Sequence, residues 1–304
     1  MSEPTNLTSM GEVEDINVDE LMAEYDRESN TRHFIGVPRE IVRYILAGFT
    51  MFIFYMNLIS AWPEQIRRSS FVGLIIFMAF MIYPAKKASA KRKNFVPWYD
   101  ILIGIVGASC FFYYVINFSA LAQKATRISS LDVVIGIIGI FIIAEVCRRV
   151  VGFPILIVAS VFVAYALFSG YSISRIVYTL FYTLDGVIGT PIGVCSTFIV
   201  LFIILGAFLE KTNIGNFFID IANSIAGFSS GGPAKVAVIS SALEGMYSGS
   251  SVANTVGSGS VTIPVMKKTG YDRDFAAAVE AAASTGGQIM PPVMGAAAFL
   301  MAEM

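Results

Sequence analysis

Histidine occurs once in this chain, at His33, and cysteine three times, at Cys110, Cys147 and Cys195, each alone inside an apolar run. Zinc and copper sites need several imidazoles or thiolates converging on one point, so no transition-metal site is expected. Isolated cysteines do not form a disulfide framework either. Charge is equally scarce, at 14% of residues against 56% hydrophobic, and mean hydropathy is +0.70. Those proportions exclude an ordinary soluble domain and indicate a polytopic membrane protein. A formal net charge of -1 offers nothing to nucleic acid. No cofactor-binding motif for an organic group is present.

The charge that exists is unevenly placed. Residues 1–36 form an acidic tail in which positions 1–30 hold nine acids against Arg27 alone, leaving 20 bases against 13 acids in the remainder. Such a segment buries too little apolar surface to fold alone and reads as cytoplasmic and disordered. The first long apolar run begins only after Arg39, so nothing near Met1 resembles a signal peptide.

Spanning segments are expected at Ile41 to Ala61, Ser70 to Pro84, Trp98 to Ala120 and Leu131 to Val146. Five bases between Lys86 and Lys93 make the densest basic loop, and Arg148 with Arg149 follows the fourth span. Both belong on the cytoplasmic side, which places the N-terminus there too. Arg67, Arg68, Lys124 and Arg127 mark the weaker outer loops. Glu145 is within one helical turn of Arg148 and Arg149 and pairs with them. Gly152 to Gly170 reads as a fifth span and Ile192 to Leu209 as another. Tyr171 to Pro191 mixes charge and aromatics, as in an amphipathic segment lying in the interface. Ile214 to Phe228 has an apolar face opposite Asn216, Asp220, Asn223 and Ser224 and suits a packed helix.

Two later stretches break this regularity. Ala234 to Glu244 and Val252 to Met266 are each too short to cross, and Lys235, Lys267 and Lys268 mark both outer ends. Residues 234–268 therefore read as a re-entrant hairpin whose arms, at about 22 Å, stop near mid-depth. Its tip, Gly245 to Thr255, reads GMYSGSSVANT. The second break lies in residues 274–304: a helix capped by Asp272 or Asp274 and beginning at Phe275 is interrupted at Ser284-Thr285-Gly286-Gly287-Gln288 and at Pro291-Pro292. Irregular backbone survives at membrane depth only when buried in protein or lining a polar cavity. Broken helices also expose unpaired N–H and C=O groups that attract anions and cations.

The residues at the two breaks are hydroxyls, amides and glycines, a ligand set for a hard cation. Ser250, Asn254, Thr255, Ser284, Thr285 and Gly286 are the candidate cation ligands. Ser248, Gly249, Ser251, Gly287, Gln288 and Pro291 are the candidates for substrate. Glu244 and Glu280 are potentially intramembrane, and pairing with Lys235, Lys267 or Arg273 at the mouth is their expected fate. An intramembrane serine enzyme is the rival, but its base is missing because His33 lies more than two hundred residues from the hairpin serines. A non-transporting membrane scaffold is the other alternative.

GMYSGSSVANTVGSGSVTIPVMKKTGY followed by EAAASTGGQIMPPVMGAAAF resembles the first hairpin and broken helix of the large membrane subunit of tripartite ATP-independent periplasmic (TRAP) transporters. Residues 37–151 are similar to the four-helix small subunit, joined to a large-subunit-like unit at 152–304 as in the fused permeases that serve TAXI-type binding proteins. The resemblance implies an all-α membrane protein with about six or more transmembrane helices plus the hairpin and broken helix, of the elevator type. It implies Na+ as coupling ion, organic acids or amino acids as carboxylate substrates, a periplasmic TAXI-type solute-binding protein as partner, and the cell inner membrane as location. Such transporters carry two inverted repeats. With only the first present, the sequence reads as the N-terminal part of a longer permease that would insert in the bilayer but not transport alone.

Overall fold

The computed structural model describes residues 31–32, 34–85, 94–124 and 128–303. The acidic tail up to residue 30, His33, Arg127 and the basic loop from Lys86 to Lys93 lie outside the described residues. Secondary structure among the described residues is entirely helical.

Helix α1 (Val37–Phe54) opens with Pro38 in its first turn, where a missing N–H costs little. It continues through a π turn at Tyr55–Ile59 to make a 23-residue apolar helix. Helix α2 (Glu64–Ile82) starts six residues before the expected Ser70, because Arg67 and Arg68 belong to the helix and not to a loop. Helix α3 (Trp98–Ile116) is followed by a short α4 (Phe118–Lys124). Helix α5 (Ser130–Val150) begins where the Asp132 carboxylate accepts the N–H of Ser129 at 2.9 Å. With Thr190–Leu209, helices α1, α2, α3 and α5 make five, among the described residues, that are long and apolar enough to cross a bilayer. Helix α6 (Phe153–Phe168), on the expected fifth span, is an apolar helix of 16 residues and buries none of them. At 1.5 Å per residue it is about 24 Å long, short of the ~30 Å core.

Small residues let α2, α3 and α5 approach closely, as expected where no water drives helices together. A Cβ at Gly107 would lie 2.7 Å from Ile142 and 2.8 Å from Ile76. The two ends of this bundle carry different polar clusters. At one end Asp100, fully buried, receives Arg32 and, at 2.8 Å, Arg149, while Arg149 also reaches Glu145 at 2.8 Å and lies 4.5 Å above the Phe80 ring. Arg148 completes the expected pairing with Glu145 at 2.7 Å. At the other end Lys124 and the Tyr113 hydroxyl meet Asp132 at 3.1 and 2.7 Å.

The segment from Tyr171 to Pro191 departs from the interfacial reading. Helix α7 (Ile173–Val177) and the π turn at Tyr178–Tyr182 fold inward, and Phe181 and Ile188 are 1% and 0% exposed. The Phe181 ring covers Gly139, where a Cβ would sit 2.2 Å away, and its centroid is 4.8 Å from that of Phe111. The Tyr182 hydroxyl donates to the Asp132 carbonyl at 2.7 Å. Val177, Phe181 and Tyr182 share one side of the turn, so burying them outweighs leaving the segment at an interface. Arg175 remains outside, over the Tyr171 ring. The largest core thus joins residues 72–142 to residues 177–188.

Helix α8 (Thr190–Val194), a π turn at Cys195–Ile199 and α9 (Val200–Lys211) form one continuous span. Helix α10 (Ile214–Ala226) buries Ile219, Ala222 and Ala226 and exposes Asn216, Asp220, Asn223 and Ser224, as its sequence pattern requires. The hairpin follows as α11 (Gly232–Ser248) and α12 (Ser251–Lys268), then α13 (Arg273–Thr285), a 3-10 turn at Gly286–Gln288, and α14 (Ala296–Glu303). Asp272 occupies the N-cap of α13, but neither it nor Asp274 makes a side-chain cap hydrogen bond, and the helix begins at Arg273, ahead of the expected Phe275.

Candidate functional site

The hairpin tip is a two-residue turn. Gly249 adopts φ 60°, and a Cβ there would meet the Met294 carbonyl oxygen at 2.7 Å, so both conformation and space require glycine. Ser250 caps α12, its Oγ accepting the N–H of Ala253 at 3.4 Å. The arms have 17 and 18 residues, about 26 Å each and longer than expected, because Gly232, Pro233 and the lysines continue the helices outward.

The second break lies directly against this tip. The Val293 N–H donates to the Met246 carbonyl at 3.1 Å, and the Gln288 side-chain amide donates to Ser251 Oγ at 3.1 Å. Gly245 and Gly287 touch backbone to backbone: a Cβ on Gly245 would lie 2.5 Å from the Gly287 Cα. Beside them Asn254, 1% exposed, donates from Nδ2 to the Ser241 carbonyl at 2.8 Å. Its Oδ1 is buried without a hydrogen-bond partner, and so is Ser248 Oγ. Buried polar atoms of this kind are exceptions, since most find a hydrogen-bond partner within the protein or in water. Both residues line a cavity of about 290 Å³ shared with Glu244, Tyr247 and Gly257.

Glu280 is the hub of the interior. Fully buried, it receives Ser258, Thr262 at 2.6 Å and Ser284 at 3.2 Å, and Ser284 is in turn 3.1 Å from Ser241. Pairing with Lys235, Lys267 or Arg273 is therefore corrected: among the described residues neither Glu280 nor Glu244 forms an ion pair. Lys235 instead reaches Ser229 at 3.2 Å. Distance explains this. Glu244 lies about two and a half turns from Lys235 along α11, and Glu280 faces α12 at its hydroxyl-bearing stripe. Glu244 is 3% exposed and presses on Gly257, where a Cβ would sit 2.8 Å from Oε2.

Of the expected residues, the structure brings Ser248, Gly249, Ser251, Asn254, Ser284, Gly287 and Gln288 to one junction. Thr255 bonds back to the Ser251 carbonyl at 2.8 Å on the flank of α12. Thr285 is exposed, and its hydroxyl donates to the Ala281 carbonyl at 2.9 Å, away from the cluster. Gly286 has open space around it, and Pro291 is exposed in the turn. Ser241, Ser258 and Thr262 were missed. For Ser258 and Thr262 the signal was periodicity: Asn254, Ser258, Thr262 and Met266 recur every four residues and share one buried face of α12.

With this geometry in view, residues 138–304 match the family described as "Tripartite ATP-independent periplasmic transporter, DctM component". A protein of Pseudomonas aeruginosa named "C4-dicarboxylate TRAP transporter large permease protein DctM" is 36% identical over 91 residues, 30% of this chain and 21% of that protein. Proteins of the same name from Vibrio cholerae and Rhodobacter capsulatus are each 35% identical over 91 residues, again 30% of this chain, and 20% and 21% of those proteins. The matched chain thus spans about a fifth of the length of these relatives. No solved structure matches the chain. The match covers more than half of the residues, begins within α5 and takes in the hairpin and both breaks. The family is a transporter component and not an enzyme, and this polytopic membrane chain belongs to it: the DctM component family of tripartite ATP-independent periplasmic transporters.

Proposed function

We propose that the chain supplies the membrane permease of a Na+-coupled, binding-protein-dependent uptake system for carboxylates, in the bacterial inner membrane with its N-terminus cytoplasmic. On this reading residues 37–151 serve as a fused small-subunit unit and residues 152–304 begin the transport unit, with a periplasmic TAXI-type solute-binding protein as donor. The relatives' printed substrate makes C4-dicarboxylates the first compounds to test. The observation that carries the reading is the junction of the two breaks, where Asn254 Oδ1 and Ser248 Oγ stay unpaired beside a 290 Å³ cavity. The unpaired Asn254 Oδ1 beside glycine backbone fits a hard cation, with Ser250 and Ser284 as further ligands to probe; Thr255 and Thr285, whose hydroxyls bond back to their own helices, and Gly286 would join it only if the break rearranges. Ser248, Gly249, Ser251, Gly287, Gln288 and Pro291 are assigned to substrate. Movement between inward and outward states would follow the elevator pattern.

A second reading rests on Glu280, a buried carboxyl group with three hydroxyl neighbours and no basic partner among the described residues. Such a group can carry a proton through the transport cycle and would make H+ the coupling ion. Uptake of labelled succinate by the complete permease, reconstituted with its binding protein, separates the two. Under Na+ coupling, Asn254→Ala raises the Na+ concentration needed for half-maximal uptake. Under proton coupling, a pH gradient alone drives uptake in the wild type and not in Glu280→Gln. Uptake indifferent to both gradients would remove this function.

A further inference from the structure

A cavity of about 460 Å³ lies away from the hairpin, where α1 and α2 meet the span α8–α9 and the far end of α14. Arg67 and Arg68 project from α2 into it. Arg68 is held in place: it reaches Glu64 at 2.5 Å and the Ile188 carbonyl at 3.3 Å, and its guanidinium lies on Gly193, where a Cβ would be 2.7 Å from Cζ. Arg67 has no such anchor. Among the described residues its half-buried side chain makes no ion pair or hydrogen bond, and Nε atoms of both arginines are buried without partners. Glu64 is committed to Arg68, and Glu303 on the far wall pairs with neither arginine.

Two further features mark the site. Both walls carry π turns, Tyr55–Ile59 and Cys195–Ile199, joined where Asn57 Nδ2 donates to the Ser196 carbonyl at 2.9 Å. Single π turns inside α-helices are rare and concentrate at functional sites. An arginine left without an anion in an apolar protein is costly, whereas its planar fork pairs readily with a carboxylate or phosphate. The face is the one opposite the Arg32–Asp100–Arg149 cluster, and the cavity bridges the four-helix unit to the broken helix.

We propose that this cavity binds an oxyanion, a carboxylate or a phosphate, through the Arg67 guanidinium, with Arg68 fixed beside it and Thr190 at the rim. Occupancy would tie α2 to α8–α9 across the cavity. The test is binding to the purified complete protein, which needs no transport and stands apart from the coupling experiment above. Two probes are used: succinate added to protein in phosphatidylcholine nanodiscs, and phosphatidylglycerol built into the discs. Binding or thermal stabilisation by succinate in the wild type, at least about tenfold weaker in Arg67→Gln, identifies a soluble carboxylate. Stabilisation only in phosphatidylglycerol discs, abolished by Arg67→Gln, identifies a lipid phosphate. If neither probe distinguishes the wild type from a monodisperse Arg67→Gln protein, the proposal is overturned. Should that variant not fold, Arg67→Lys decides: loss of the fork weakens whichever probe binds, and unchanged affinity refutes the assignment.

Discussion

Two glycines on either side of the contact between hairpin and second break, Gly245 on α11 and Gly286 in the 3-10 turn, should respond oppositely to an added methyl. Gly245 on α11 faces Gly287 so closely that an added methyl would stand 2.5 Å from the Gly287 Cα, an atom that cannot rotate aside. Ordinary carbon contacts lie near 3.5–4.0 Å. Gly245→Ala must therefore move the hairpin about 1 Å from the break, disturbing the Val293–Met246 backbone bond and the packing of Asn254. Overpacking of this kind costs about 1–3 kcal/mol. Taking about 2 kcal/mol, the apparent Tm should fall by about 4–8 °C for a chain of this size. Gly286, next to Gly287, has nothing within 4 Å and adopts φ -60°. Gly286→Ala should leave Tm unchanged or raise it, since alanine costs less backbone entropy on folding. Thermal unfolding of both variants in detergent, followed by circular dichroism, makes the comparison. Equal small effects at the two positions would refute the close junction of hairpin and break on which the candidate site depends.

Asp100→Asn should be among the most damaging single changes, because it leaves Arg32 and Arg149 buried without their shared carboxylate; a loss of about 3–5 kcal/mol would show as a collapse in folded yield on size-exclusion chromatography. Gly139→Ala drives a methyl into the Phe181 ring, 2.2 Å from its nearest carbon, and should cost about 1–3 kcal/mol in the same thermal assay; a neutral outcome would return residues 171–191 to an interfacial position. For orientation, Gln123→Cys, exposed at the Lys124 end, should react with an impermeant thiol reagent in intact cells, whereas Ser89→Cys in the basic loop should be protected. The reverse labelling pattern would invert the topology.

The amino-acid sequence by itself determined which stretches form apolar helices and where the chain breaks them. In a bilayer each spanning segment satisfies its own backbone, so a run of about twenty apolar residues is a local and sufficient instruction. Glycine and proline act locally too, which is why the tip at Gly249 and the break from Ser284 to Pro292 stood out. The Glu145–Arg148–Arg149 pairing was readable for the same reason, lying within one turn. Only the tertiary structure decided what faces what. Glu244 and Glu280 looked free to meet lysines at the mouth until α11, α12 and α13 packed them inward, Glu280 against Ser258, Thr262 and Ser284. Phe181 became core because Gly139, more than forty residues away, left room for its ring. Arg32, Asp100 and Arg149 find one another across three separate stretches of chain. Side-chain burial is a property of helix rotation and neighbours, and neither is written within the segment that bears the side chain.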